Sequence, residues 1–191
     1  MKPKATASRL PITSIATRTA CAVCTALKEF QNNLLLKNLS PNECRRFCNS
    51  HGWMVANSTP AASAVTIFLA AIANPDWQPA APVGEECDVC RKMHEEKERR
   101  LSEVAEQLRD LKIHSWFHDN AMLCSRHGRE VMAKLPENVR ENVQELLARN
   151  GGEIVGLLED YLERLQSGAH AGGGVLGRAA EFLLAQRGIE T

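Results

Sequence analysis

Residues 43–60 read ECRRFCNSHGWMVANSTP, and residues 121–136 read AMLCSRHGREVMAKLP. Each stretch places a cysteine three residues before a histidine: Cys48 with His51, and Cys124 with His127. Each histidine is followed by glycine, and each run reaches a proline, at Pro60 and at Pro136. An apolar residue precedes each cysteine, Phe47 in one case and Leu123 in the other. A C-x-x-H pair brings one sulfur and one imidazole nitrogen to a single point, as metal ligand pairs do.

Working outward, each C-x-x-H has a C-x-x-C upstream. CAVC supplies Cys21 and Cys24, and CDVC supplies Cys87 and Cys90. The step from Cys24 to Cys48 is 24 residues, and the step from Cys90 to Cys124 is 34. The chain therefore reads as two similar halves, with ten extra residues between the pairs of the second. Both C-x-x-C pairs run into good helix formers. In the second, Leu101, Val104, Leu108 and Leu111 recur at three and four residues and predict a stripe on one helix face. The ten extra residues are read as almost three more turns of this helix.

Each half is expected to contain three helical pieces. The C-x-x-C opens a long helix. A short return piece, SPNECRRF, has Ser40 as N-cap and Pro41 at the first helical position. The C-x-x-H opens a third helix. All these ligand pairs then sit at helix N-termini, where the dipole favours thiolate over thiol.

The fold class expected is all-α: two repeated zinc-knuckle-like helical units plus C-terminal helices, packed as one bundle. Residues 1–18 are a flexible N-terminus, 19–73 the first unit, 74–84 a proline-rich linker, 85–137 the second unit and 138–191 the C-terminal helices. Val139, Val143, Leu146 and Leu147, then Ile154, Leu157, Leu158, Tyr161, Leu162 and Leu165, form helical stripes that NGG (Asn150 to Gly152) separates or kinks. SGAHAGGG is a flexible loop, and VLGRAAEFLLAQRG a last helix ending at Gly188. AASAVTIFLAAIA, from Ala61 to Ala73, is too short to cross a bilayer and reads as a buried core helix.

Composition narrows the function. The 191 residues carry 23 basic and 23 acidic side chains, so a nucleic-acid-binding face is not favoured. The N-terminal stretch has no continuous apolar run of the kind a signal peptide needs, which points to a cytoplasmic protein. Seven cysteines in such a chain indicate metal binding or redox chemistry rather than a disulfide scaffold. Two C-x-x-C/C-x-x-H sets give eight metal ligands: Cys21, Cys24, Cys48, His51, Cys87, Cys90, Cys124 and His127. Grouped in fours, they make two Cys₃His sets, the closed tetrahedral donor set of structural zinc, and imply two Zn²⁺ per chain.

Two groupings are possible. Local pairing joins Cys21, Cys24, Cys48 and His51, and separately Cys87, Cys90, Cys124 and His127. Crossed pairing joins each C-x-x-C to the other half's C-x-x-H. Loop closure costs slightly less for the local scheme, which is the expectation. Cys44 has Asn120 as its counterpart and is read as a helix-face residue, with exchange for Cys48 or thiol reactivity beside Arg45 and Arg46 as alternatives. His94, His114, His118 and His170 lie outside the sets, and His114 with His118 is read as a surface pair. Trp53 is expected to shield the first site, where the second has Arg129.

The motifs CAVC, FCNSHGW, CDVC and LCSRH, with GRAAEFLLAQRG near the end, resemble an uncharacterised bacterial family, a domain of unknown function with twin C-x-x-C…[LF]-C-x-x-H halves. The resemblance spans about Cys21 to Gly188. Many members have proline after the first cysteine, where this chain has Ala22 and Asp88; neither is a ligand. The resemblance implies a helical, zinc-binding fold and supplies no activity. No phosphate loop, dinucleotide fingerprint or nucleophile elbow is present, so nothing argues for an enzyme. The function expected is an interaction or regulatory module with protein partners. A thiol-based redox or metal sensor and an iron–sulfur protein are the alternatives for the same ligands.

Overall fold

The computed structural model describes residues 20–35, 46–73, 87–110, 116–117, 119–168 and 174–184. These residues form seven helices: α1 (Ala22–Asn33), α2 (Asn49–Ser58), α3 (Ala61–Ile72), α4 (Asp88–Leu108), α5 (Ser125–Ala133), α6 (Glu137–Gln166) and α7 (Gly174–Leu184). The only β pairing among them is an isolated parallel bridge between Cys21 and Met122. The fold is all-α, as the composition and periodicity predict. No helix among the described residues is long and apolar enough to cross a membrane. Ser40, Pro41, Cys44, the 74–84 linker, Leu111, His114, His118, His170 and the end of the last helix lie outside the described residues.

The extra residues of the second half do lengthen the helix. α4 has 21 residues where α1 has 12. Its predicted stripe is buried at Leu101, Val104 and Leu108. The two C-x-x-H helices, α2 and α5, each end just before a proline that caps the next helix. Pro60 precedes α3 and Pro136 precedes α6, both with extended backbone. Proline suits that place because it cannot continue the preceding helix and needs no amide partner at a helix start.

The chain divides into two compact units, and they do not follow the halves of the sequence. One unit takes the described residues within 1–26 and 100–187, the other those within 27–99. The boundaries fall inside α1 and α4. In the first unit α5, α6 and α7 pack on one another. Its buried side chains include Leu101, Phe117, Leu123, Val131, Val143 and Leu146. In the second unit α2 packs on α3. One cluster in it gathers Leu35, Val55, Ala64 and Ile67, with Phe47, Met54 and Phe68 against them; Leu27, Leu34, Ala71, Val89 and Met93 are buried in the same unit. Phe47 and Phe68 meet edge to face, their centroids 6.2 Å apart.

Three expectations need correction. NGG neither ends nor separates a helix: α6 runs without a break from Glu137 to Gln166. Asn150 is buried and its side chain is hydrogen-bonded, while Gly151 faces the Phe182 ring. Local composition suggested a break, and packing overrode it. The α6 stripe is buried only as far as Ile154, and Leu162 and Leu165 are exposed. The apolar segment from Ala61 is a helix but is not wholly buried. Ala64, Ile67 and Ala71 face the core, whereas Val65, Leu69 and Ile72 are exposed.

Candidate metal centres

All eight sequence-predicted ligands are buried, and they gather into two groups. One contains Cys21, Cys24, Cys124 and His127; the other contains Cys48, His51, Cys87 and Cys90. The pairing is therefore crossed, and the local scheme is overturned. Loop-closure entropy favours local pairing only where the intervening chain is flexible. α1 and α4 are rigid rods that start at their C-x-x-C. At 1.5 Å per residue they carry the chain about 18 Å and about 30 Å from that start. The C-x-x-H that follows each rod joins the centre of the other half.

Each group is assembled from two helix N-termini. Cys48 caps α2 with φ −72° and ψ 165°, and Cys124 caps α5 with φ −73° and ψ 158°. His51 and His127 follow on the first turn. The C-x-x-C pairs occupy the first turns of α1 and α4, whose opening bonds run from Thr25 N–H to Cys21 O and from Arg91 N–H to Cys87 O. One backbone bond joins the two helix starts at each centre. Ala22 N–H donates to Met122 O at 3.0 Å, and Asp88 N–H donates to Arg46 O at 3.0 Å. These donors follow the first cysteine of each C-x-x-C, and these acceptors lie two residues before the third cysteine. At the second centre the Asp88 carboxylate also accepts from Arg46 N–H, at 3.0 Å.

The donor atoms have the spacing of a mononuclear site. At the first centre His127 Nδ1 lies 3.6, 3.3 and 3.3 Å from the sulfurs of Cys21, Cys24 and Cys124. At the second, His51 Nδ1 lies 3.3, 3.6 and 3.2 Å from those of Cys48, Cys87 and Cys90. The sulfurs of Cys24 and Cys124 are 4.0 Å apart, those of Cys48 and Cys90 3.8 Å. A tetrahedron with Zn–S of about 2.3 Å and Zn–N of about 2.0–2.1 Å has S···S edges of about 3.8 Å and S···N edges of about 3.6 Å. The sulfurs are well beyond the roughly 2.05 Å of a disulfide, and none of the six described cysteines is in a disulfide.

Without a metal, three thiols crowd each centre and their protons are shared unequally. Burial pushes the Cys21 thiol well up, aided by its hydrogen bonds to Cys124 and Cys24. Cys124 is driven far down because it accepts from Cys21 and Cys24 and faces His127. At the other centre burial pushes Cys48 up. Burial also opposes ionisation of Cys87, but the His51 ring and backbone groups at Cys48 and Cys90 outweigh it and bring that thiol to about 6. One thiolate steadied by its neighbours is the state a cation would capture, displacing the remaining thiol protons.

The surroundings of the centres contain residues that spacing alone did not reveal. Arg149 donates to Ala121 O at 3.0 Å and Asn150 to Leu123 O at 3.2 Å. Together they tether the loop that delivers Cys124. Asn150 opens the NGG that local composition reads as a break, and Arg149 carries no spacing signal of its own. A Cβ at Gly128 would stand 2.5 Å from a methyl of Leu147, whereas one at Gly52 would meet nothing nearer than Phe47 Cβ at 3.8 Å. Trp53 is 65% exposed and does not shield a centre; Arg129 is exposed as well. His94 is exposed and joins neither group. His127 Nε2 is buried with no hydrogen-bond partner among the described residues.

No family model, curated protein or solved structure matches the chain.

Proposed function

We propose that this is a zinc-binding protein whose two structural Cys₃His sites hold a helical scaffold for interaction with, or regulation of, protein partners. The observation that carries the reading is the pair of buried Cys₃His groups with tetrahedral donor spacing. Three thiolates and one imidazole suit zinc, and four protein donors leave no open position for activating water. The matching cap angles and backbone bonds of the two centres support an internal repeat, in keeping with the twin-half family that the motifs resemble. Short donor separations favour one ion per site over an iron–sulfur cluster, whose bridged irons hold their ligands further apart. Deep burial of the sulfurs favours a structural role over thiol sensing, which needs access.

The test is metal content by mass spectrometry on untagged protein, with thiol titration before and after chelation. Two zincs per chain, with the six ligand thiols reacting only after chelation, is the expected result. Protein purified without metal, or with iron and a visible absorbance band, would overturn it.

A further inference from the structure

Resting on the reading of both groups as metal sites, we propose that the two centres load cooperatively, each metal raising the affinity of the other site. The first observation is that the sites are nested in the chain. Cys24 and Cys124, ligands of one site, are 100 residues apart. The 42-residue span from Cys48 to Cys90, which the other site closes, lies wholly within that interval. Closing the inner loop shortens the flexible chain that the outer one must close, and linkage makes this small gain mutual.

The second observation is larger in effect. α1 begins with Cys21 and Cys24 of one centre, and the residues from Leu27 onward belong to the unit that holds the other centre. There Gln31 donates to Met54 Sδ, Leu35 packs with Val55, Ala64 and Ile67, and Leu35 O accepts from Thr59 Oγ1 at 2.9 Å. α4 makes the reciprocal connection. It begins with Cys87 and Cys90, and from Arg100 onward it belongs to the unit of Cys124 and His127. Its buried Leu101, Val104 and Leu108 lie in that later part.

Helix formation is cooperative, and the first turn is the costly one. A metal that fixes the first turn of α4 also orders the stripe that the first unit's core needs. A metal that fixes the first turn of α1 likewise orders Gln31 and Leu35 for their contacts in the second unit. Each site is thus preorganised by occupation of the other, and linkage makes the effect equal in both directions.

Metal-free, reduced protein titrated with zinc and followed by native mass spectrometry tests this. At one equivalent, metal-free and two-zinc species should dominate. The one-zinc species should stay well below the about one half that equal, independent sites give. A one-zinc species at or above that level overturns cooperativity while leaving the zinc sites intact; failure to take up zinc at all removes both. Cys87→Ser and Cys124→Ser, measured by competition with a chelator, should each weaken zinc at the untouched centre by about tenfold. An untouched centre of unchanged affinity contradicts the proposal. The wild-type titration decides the matter if either variant does not fold.

Discussion

The two centres share one ligand geometry and stand on different foundations. The Cys21–Cys24–Cys124–His127 centre is backed by α5, α6 and α7, with Gly128 pressed against Leu147 and its delivery loop held by Arg149 and Asn150. The Cys48–His51–Cys87–Cys90 centre is backed by α2 and α3, and one face of α3, with Val65, Leu69 and Ile72, remains exposed. Four donors on two helix starts define the geometry of each centre, while surrounding packing decides how much of each unit survives without a metal. A unit that leaves Val65, Leu69 and Ile72 uncovered gains less from burial and leans more on its metal.

The largest effect expected is on chelation. Structural zinc contributes about 10–16 kcal/mol at such sites, as much as or more than the roughly 5–15 kcal/mol stability of a whole domain. Hydrogen exchange after chelation should show α2 and α3 losing a larger share of their protection than the α6 segment from Glu137 to Ile154. Equal loss in both places would erase the contrast between the units.

Next comes the glycine that follows each histidine. Gly128→Ala should cost about 1–3 kcal/mol, because Leu147 must leave its place. Gly52→Ala has room and should be neutral or stabilising by up to about 1 kcal/mol, as expected for alanine in a helix. Denaturant unfolding of the zinc-loaded variants measures both. Matching effects would mean that the two glycines play one role.

Asn150→Leu should cost about 1–3 kcal/mol by leaving Leu123 O without its donor. It should speed zinc loss from the Cys124 centre by more than from the Cys87 centre. Site-resolved release, read by cysteine alkylation and peptide mass mapping, distinguishes the two.

The smallest effect concerns pH in the metal-free protein. Cys87 is held near 6, below the ordinary thiol value of about 8.5. A depressed pKa contributes stability that is complete above the ordinary value and is lost as pH falls through 6. Apo-protein stability should therefore gain a rising component between those values, absent in Cys87→Ser. A component of the opposite sign would contradict the hydrogen-bonding assigned to Cys87.

The ligands themselves were legible because metal chemistry demands particular residues at particular spacings. C-x-x-C and C-x-x-H state their purpose locally, as do the helix starts they occupy. Ligand grouping was less legible, because an entropy argument for a flexible chain does not register the stiffness of α4. Asn150 and Gly128 were illegible for a further reason. Both act through contacts with distant residues, Leu123 and Leu147, so their local signals read as a break and as a motif glycine. The exposed face of α3 escaped notice because an unbroken apolar run does not say which side is covered.

Crossed ligation can be read from protein with spin-active cadmium substituted at both sites. Metal-to-proton correlation spectra would connect each cadmium resonance to the β-protons of its own cysteines. One resonance should correlate with Cys21, Cys24 and Cys124, and the other with Cys48, Cys87 and Cys90. A resonance that joins Cys21 and Cys24 to Cys48 would contradict the crossed assembly.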